Sequence, residues 1–387
     1  MLLLTAIKQD LTTLALCCFA CCIFKGAYMS LSPKFLFVPV SSSEGMGEYM
    51  RSLIIANEVK QRWPDANIQF IISRQAPYAF TCPYPVALLD DTPTKNTKAV
   101  NDFLSFYKAD FVIFDASGRR SQLVHANKLG AKVIFISQHK RKRSRGMKLL
   151  RARVTDSHWV VQPEFIIGTI SSFDRLKLKL INKPEPTIIG SVFASPVAHR
   201  QSELLKKLCL VANDFILFNA GSGGHKNGQG HCIEEFAMAA ARIYQATKIP
   251  CVVIFGPSYP KAMPEFEGVI NIKELIHVDF MDLLDASKAA VLSGGDTLLQ
   301  AIALKKPSVS AAVAKDQNYR IRVCQERGLT VSSSVTADEL TSRLLDLIQA
   351  GTAQQLDTAL TQCESTNGLD VAMEVITDLM SEQSAVS

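Results

Sequence analysis

Runs of apolar residues at 35–40, 68–72, 111–114, 133–136 and 159–161 alternate with stretches such as 49–63 and 121–129, whose apolar positions recur at helical spacing. Continuous apolar runs bounded by polar turns read as strands buried on both faces, and the amphipathic stretches as helices that cover them. Pro64 and Gly130 close the first two helices. This alternation predicts a parallel sheet with helices on both sides. At 182–190 the rhythm breaks: Pro184 and Pro186 flank Glu185, and Gly190 follows, a composition suited to a hinge. It then restarts with strands at 215–219, 251–255, 269–272, 289–292 and 308–313 and helices at 232–247, 319–327 and 336–349. A last helical pattern, 357–380, is placed to pack across the domain boundary.

The expected fold class is therefore α/β, with two doubly wound, Rossmann-like domains facing each other across a cleft. The first takes residues 30–185, the second 186–350, and a helical tail 351–387. Such sheets bind ligands at the carboxyl ends of their strands, so the loops there carry the candidate chemistry.

Composition supports two cores: 387 residues are 48% apolar and 20% charged. Ten cysteines include a cluster at Cys17, Cys18, Cys21 and Cys22, while the other six are scattered. None shows the paired spacing of a zinc site or a disulfide framework, which points to a reduced, cytoplasmic protein. The apolar stretch 11–24 falls short of the ~20 residues that span a bilayer. A signal peptide or anchor competes there with a third reading. Met29 directly precedes the first convincing strand, so residues 1–28 are read as an extension that is not part of the fold.

Three loops stand out. The first, 43–56, sets Gly45 and Gly47 between a strand and its helix, with Glu48 at the helix start and Arg51 one turn on. Glu48 suits the helix dipole as a capping residue; the sharper role is a general base facing the cleft. Arg51 is expected to pair with Glu48 or with a ligand anion. The second loop, 219–228, holds Ser222, Gly223, Gly224 and His225. Its backbone N–H groups suit a diphosphate, but it lacks the Lys-Ser/Thr ending of a P-loop. The third runs from Gly294, Gly295, Asp296 and Thr297 through Gln300 to Pro307, with Asp316 and Gln317 beyond the next strand. A helix starting at a glycine turn aims unpaired N–H groups at an anion, and short carboxylates and amides suit sugar hydroxyls.

Together these loops resemble the GT-B glycosyltransferases of family 28. That group includes the enzyme adding N-acetylglucosamine to the peptidoglycan lipid precursor, and the UDP-sugar hydrolase of pseudaminic acid synthesis is similar. The resemblance rests on Gly45 to Ala56 and on Met281 to Leu284, Gly294 to Leu298, Ala301 to Pro307 and Asp316-Gln317. It implies a UDP-sugar donor, a glycan or lipid-linked acceptor, inverting transfer, and neither cofactor nor metal. Two positions depart from the family pattern. Glu48 stands where relatives carry a histidine, and Gln300 where a glutamate commonly grips the donor ribose. A hydrolase or epimerase on the same scaffold, or a non-catalytic nucleotide-sugar-binding protein, therefore stays open.

The net charge of +6 is concentrated at 139–153, a run of lysines and arginines that follows the 133–136 strand. Such runs are most often solvated loops. Without interleaved aromatics it does not suit nucleic acid. It suits an anionic membrane surface and hence a peripheral position on the inner face of the cytoplasmic membrane.

Overall fold

The structure is a computed structural model that describes residues 32–41, 46–228 and 230–384. The expected extension 1–28 and Gly45 lie outside the described residues. Strands β1 (Lys34–Pro39), β2 (Asn67–Ser73), β3 (Val86–Leu89), β4 (Phe111–Asp115), β5 (Lys132–Ser137), β6 (Ser157–Val160) and β7 (Thr187–Ile188) form one sheet, ordered β3-β2-β1-β4-β5-β6-β7. Every pairing in it is parallel. The second domain contains β8 (Ile216–Asn219), a small hairpin β9 (Lys226–Asn227) and β10 (Gly230–His231), then β11 (Cys251–Ile254), β12 (Val269–Ile272), β13 (Ala289–Ser293), β14 (Ser308–Ala311) and β15 (Val331–Ser333). Its main sheet, also parallel, is ordered β12-β11-β8-β13-β14-β15.

Alternation along a strand builds the cores. In β1, Phe35 and Phe37 point to the face covered by the helix Gly47–Arg62, and Leu36 and Val38 to the face covered by helices Thr97–Tyr107 and Arg120–Lys128. Both faces are dry, so the strands read as unbroken apolar runs. In β8, Ile216 and Phe218 face the helix Cys232–Thr247, and Leu217 faces the helix His277–Ala286.

Chain order reverses direction between β1 and β4 in the first sheet and between β8 and β13 in the second. A crevice opens at each reversal, because helices leave the two adjacent strands on opposite faces. The loops after these four strands are therefore the ones placed to hold ligands.

Three expectations change. The presumed hinge at 182–190 contains β7, and Ile189, Val192 and Phe193 beyond it are buried. Asn367 pins that segment through bonds to the backbone of Phe193, and Gly368 donates to Ser191 O at 2.7 Å. A Cβ on Gly368 would lie 2.4 Å from Ile189 O, so only glycine allows this approach. The 357–380 helix is in fact two, Ala350–Gln362 and Gly368–Ser384. The second lays Leu369, Ala372, Met373, Ile376 and Leu379 into the core of the first domain. Finally, the basic run is not a loop. It forms helices Lys140–Gly146 and Leu149–Ala152, with Arg143 and Arg151 buried. Arg143 donates to the carbonyls of Gly168 and Thr169, and Arg151 to that of Gly118 at 3.0 Å. Helix formation turns those two side chains inward while their neighbours stay in water.

Met373 is fully buried between the sheet and the helix Gly47–Arg62. Met373→Ala is expected to cost ~2–5 kcal/mol of stability, the range for truncating a core side chain. Urea unfolding of the two proteins measures it.

Candidate functional site

The site is assembled from the two crevices. Asp115 ends β4 and Arg51 lies one turn into the helix Gly47–Arg62, both buried. Arg51 Nε donates to Asp115 Oδ2 at 2.9 Å and Nη2 to Oδ1 at 2.7 Å. This two-point pairing replaces the expected pairing of Arg51 with Glu48 or a ligand. Burial pushes the Asp115 carboxyl up to about 6, against the pull of the Arg51 guanidinium and the Ser52 hydroxyl. Arg51 itself is desolvated, yet Asp115 holds its affinity for the proton above the ordinary range.

Arg51 also reaches the other domain. Its Nη1 lies 3.8 Å from Asp296 Oδ2, and Gln138 Nε2 donates to the same carboxylate at 3.0 Å. From the opposite side Arg320 Nη2 lies 3.6 Å from Asp296 Oδ1. Asp296 opens the helix Asp296–Ala303 and its carboxylate is about one-third exposed. It therefore joins the two domains, a role the sequence did not suggest.

The glycine turn beside it is held from within. Gly294 N donates to Gln317 Oε1 at 3.1 Å, and its carbonyl accepts from Arg320 Nη1 at 2.6 Å. A Cβ there would sit 2.6 Å from Ile321, so this glycine serves packing rather than ligand approach. Gln317 Oε1 also accepts from Val313 N at 3.0 Å, tying the turn to the segment after β14. Gln300 is buried and donates to Val192 O at 3.3 Å, which turns its amide toward the interdomain segment. Gly295 and Thr297 are half-buried at the helix start, and Asp316 is exposed.

The 221–225 loop follows β8, beside the glycine turn that follows β13. A Cβ on Gly221 would lie 3.5 Å from Ser293 Oγ, which sets the two loops side by side. Gly223 has φ +82°, and a Cβ there would meet Phe255 O at 2.0 Å. The loop is thus pressed backbone to backbone against the 255–258 segment, and Ser222 O accepts from Ser258 N at 2.9 Å. Ser222, Gly224 and His225 stay exposed.

Two of the cavities along the domain junction border these residues. One, of about 100 Å³, is lined by Gly47, Arg51, Ser191, His277, Asp296 and Gln300. The other, of about 340 Å³, runs between His139 and Lys140 on one domain and Asp316, Tyr319 and Arg320 on the other. Glu48 is half-buried in the first turn of its helix, close enough to Arg51, Asp115, His139 and Lys142 to act on all four electrostatically. The residue that precedes the helix, Met46, makes no side-chain capping bond. Sequence reasoning missed Asp115, Gln138, His277 and Arg320. The one signal available was Asp115 at the end of an apolar run. Among the described residues no cluster of ligating side chains fits a metal ion, and no helix is long and apolar enough to cross a membrane.

Two parallel Rossmann-like sheets with their switch-point loops turned toward one junction define the GT-B fold. Solved structures share it. CalG4, the calicheamicin glycosyltransferase, is similar with a TM-score of 0.59 at 13% identity, over 91% of this chain and 99% of its own. A UGT transferase from Siraitia grosvenorii, solved with UDP, is similar with a TM-score of 0.56 at 14% identity, over 90% and 99%. A Listeria monocytogenes protein assigned as a UDP-N-acetylglucosamine 2-epimerase has a TM-score of 0.56 at 12% identity, over 91% and 98%. At such identities the likeness concerns fold. No protein-family model matches the chain, and no curated protein matches it by sequence.

Replacing Arg51 by Met leaves a buried carboxylate unpaired, so R51M is expected to lose ~3–5 kcal/mol. Adding Asp115→Asn removes that charge, and the double variant is expected to recover part of the loss in the same denaturant titration.

His277 accepts from Ala194 N at 3.2 Å, and burial pushes it down from 6.5 to about 4. Between those values the unfolded chain binds a proton that the folded one does not. Its contribution is therefore complete above pH 6.5 and lost as pH falls toward 4. His277→Gln is expected to flatten the stability profile in that window by up to ~1.4 kcal/mol per pH unit, read from thermal unfolding at stepped pH.

Proposed function

We propose that this protein is a glycosyltransferase that moves a sugar from a UDP-sugar to an envelope glycan or lipid-linked acceptor, inverting the anomeric centre without a metal. The observation that carries the reading is the convergence of three loops. The 221–225 and 293–297 loops lie side by side at the β8–β13 switch point, and Arg51 brings the first domain's loop to Asp296. The second domain would hold the donor. Exposed backbone and hydroxyl groups at Ser222, Gly224 and His225, with the N-terminus of the helix Asp296–Ala303, suit a diphosphate. Thr297, Gln300, Asp316 and Gln317 are the family-28-like positions near it, and Gln317 acts by fixing the glycine turn. The fold shared with the UDP-bound Siraitia grosvenorii transferase supports a uridine nucleotide.

In this reading Glu48 is the base. Its carboxylate takes the proton of the acceptor hydroxyl as that oxygen attacks the anomeric carbon. The bond from that carbon to the phosphate oxygen breaks, and UDP leaves with the electron pair. Fixed N–H dipoles around 222–225 and 296–297 stabilise the charge that develops on the diphosphate. Gly47 and Arg51 act on the acceptor side, Gly47 by leaving open space at the start of the helix and Arg51 by anchoring that helix to Asp115.

Part of the basic run supports a position on the inner face of the cytoplasmic membrane. Lys140, Arg141, Arg145, Lys148 and Arg153 are exposed, and Leu149 and Leu150 among them are 39% and 48% exposed. Cations beside bare leucines suit an anionic lipid surface.

The test is a thermal-shift series followed by turnover. UDP should raise the melting temperature more than GDP, ADP or CDP do, and UDP release from a UDP-sugar should require membrane extract. Glu48→Gln should lower kcat by ~10²–10⁴, the usual weight of a general base, and leave the UDP shift intact. Release of free sugar without extract would mean a hydrolase, and conversion of one UDP-sugar to another an epimerase. A UDP shift without any turnover would mean a binding protein.

A further inference from the structure

A further concavity lies on the first domain alone, at its β1–β4 switch point. It measures about 900 Å³ and is lined by Arg119, Arg120, Lys142, Arg145, Lys148 and Arg151, together with Val40 and Gly118. No carboxylate lines it. Among the described residues none of these six cations is in a salt bridge.

The groove is built, not a chance of exposed side chains. After β4 the chain turns through Ala116 and Gly118, both with positive φ, at 51° and 75°. A Cβ on Gly118 would meet Leu123 at 2.7 Å, so the turn is specific to glycine. Its carbonyls hold two of the cations: Lys142 Nζ donates to Ala116 O at 2.5 Å and Arg151 Nη1 to Gly118 O at 3.0 Å. The Arg151 guanidinium stacks 4.8 Å from the Phe135 ring, and the residue is only 6% exposed. Its Nε and Nη2 are buried and have no hydrogen-bond partner among the described residues. Burial and the neighbouring Arg145 push Arg151 down to about 10, so it remains a cation at neutral pH. A buried, charged guanidinium with two idle N–H groups, ringed by like charges, is an arrangement completed by an anion.

We propose that this groove binds a phosphate or diphosphate group of the acceptor, so that the acceptor is a phosphorylated glycan or a lipid-linked sugar phosphate. The inference rests on the transferase reading, in which the first domain carries the acceptor. Lys142 sits on its wall, and Glu48 acts on that lysine electrostatically. A phosphate held by Arg145, Lys148 and Arg151 would be fixed on the same domain as Glu48. Arginine suits the task because its fork meets phosphate oxygens in pairs.

The test uses the full chain, inorganic pyrophosphate as the probe, and saturating UDP to block the donor loops. Calorimetry of the wild type should show pyrophosphate binding that weakens as salt rises. Arg145 and Lys148 are exposed, so R145Q/K148Q should fold normally and show an unchanged UDP shift. Its pyrophosphate Kd should rise roughly 10-fold or more, as expected for losing bonds to a charged group. Co-sedimentation with phosphatidylcholine vesicles, with and without phosphatidic acid, separates the sources. Pyrophosphate-sensitive binding to the phosphatidic acid vesicles assigns the site to a lipid headgroup. Pyrophosphate binding without vesicle binding assigns it to a soluble phosphorylated acceptor. No pyrophosphate binding, or a Kd unchanged in R145Q/K148Q, overturns the proposal. Absence of a UDP shift would instead count against the donor reading, and leaves the pyrophosphate comparison able to decide on the groove.

Discussion

The buried pair of Arg51 and Asp115 sets the geometry on which the rest of the site depends. Two opposite charges taken out of water are expensive, and the expense is offset only when both ends of the pair are fully bonded. The two short bonds between them achieve this, and in doing so fix the helix Gly47–Arg62 against the end of β4. Gly47 and Glu48, one turn earlier, are then committed to the mouth of the first crevice. The third guanidinium nitrogen, Nη1, lies 3.8 Å from Asp296 in the other domain.

That shared guanidinium divides the molecule into stiff and soft contacts. Within the first domain the pair is buried and short. Between domains Asp296 lies 3.8 Å from Arg51 and accepts from Gln138 at 3.0 Å, with the carboxylate partly in water. Partly solvated pairs at such distances contribute ~0–1 kcal/mol, whereas breaking the buried pair would cost several times as much. The contact of Arg51 with Asp296 is therefore the softer of the two that its guanidinium makes. The anchors that resist separation lie elsewhere, where the helix Gly368–Ser384 crosses back and Asn367 fastens the interdomain segment.

The sheets were legible in the sequence because strands dry on both faces leave unbroken apolar runs. The edges were not. Strand β3 is a four-residue run between Pro85 and Asp90, and β7 hides among prolines, so neither carried a periodic signal. The three loops were legible from their glycines, but the purpose of each glycine was not. Gly294 and Gly223 are required by the close approach of Ile321 and of Phe255 O, and only tertiary packing reveals that. Asp115 and Arg320 escaped notice for the same reason: each gains its meaning from a partner far away in the chain. The basic run shows the converse error. Charge along a sequence says nothing of direction, and folding turned Arg143 and Arg151 inward while leaving Lys148 and Arg153 outside.

The charges around the junction are distributed unevenly, and that bears on how the two crevices divide the work. Near the second domain's loops each guanidinium faces a carboxylate: Arg51 has Asp115 and Asp296, and Arg320 has Asp296. Little free positive charge remains there, so an anion in that crevice would rely on backbone dipoles, which need no counter-ion and cost no reorganisation. The basic groove on the first domain is the reverse, lined by cations and by no carboxylate. Dipoles hold a group by orientation and cations hold it by charge. A leaving group must be stabilised at one place only as its charge develops, which favours the fixed dipoles. A group that stays unchanged through the reaction needs only to be held, which bare cations do without discrimination between ground and transition state. The second crevice is therefore suited to the partner that reacts at its phosphate, and the first to a partner that keeps whatever charge it brings.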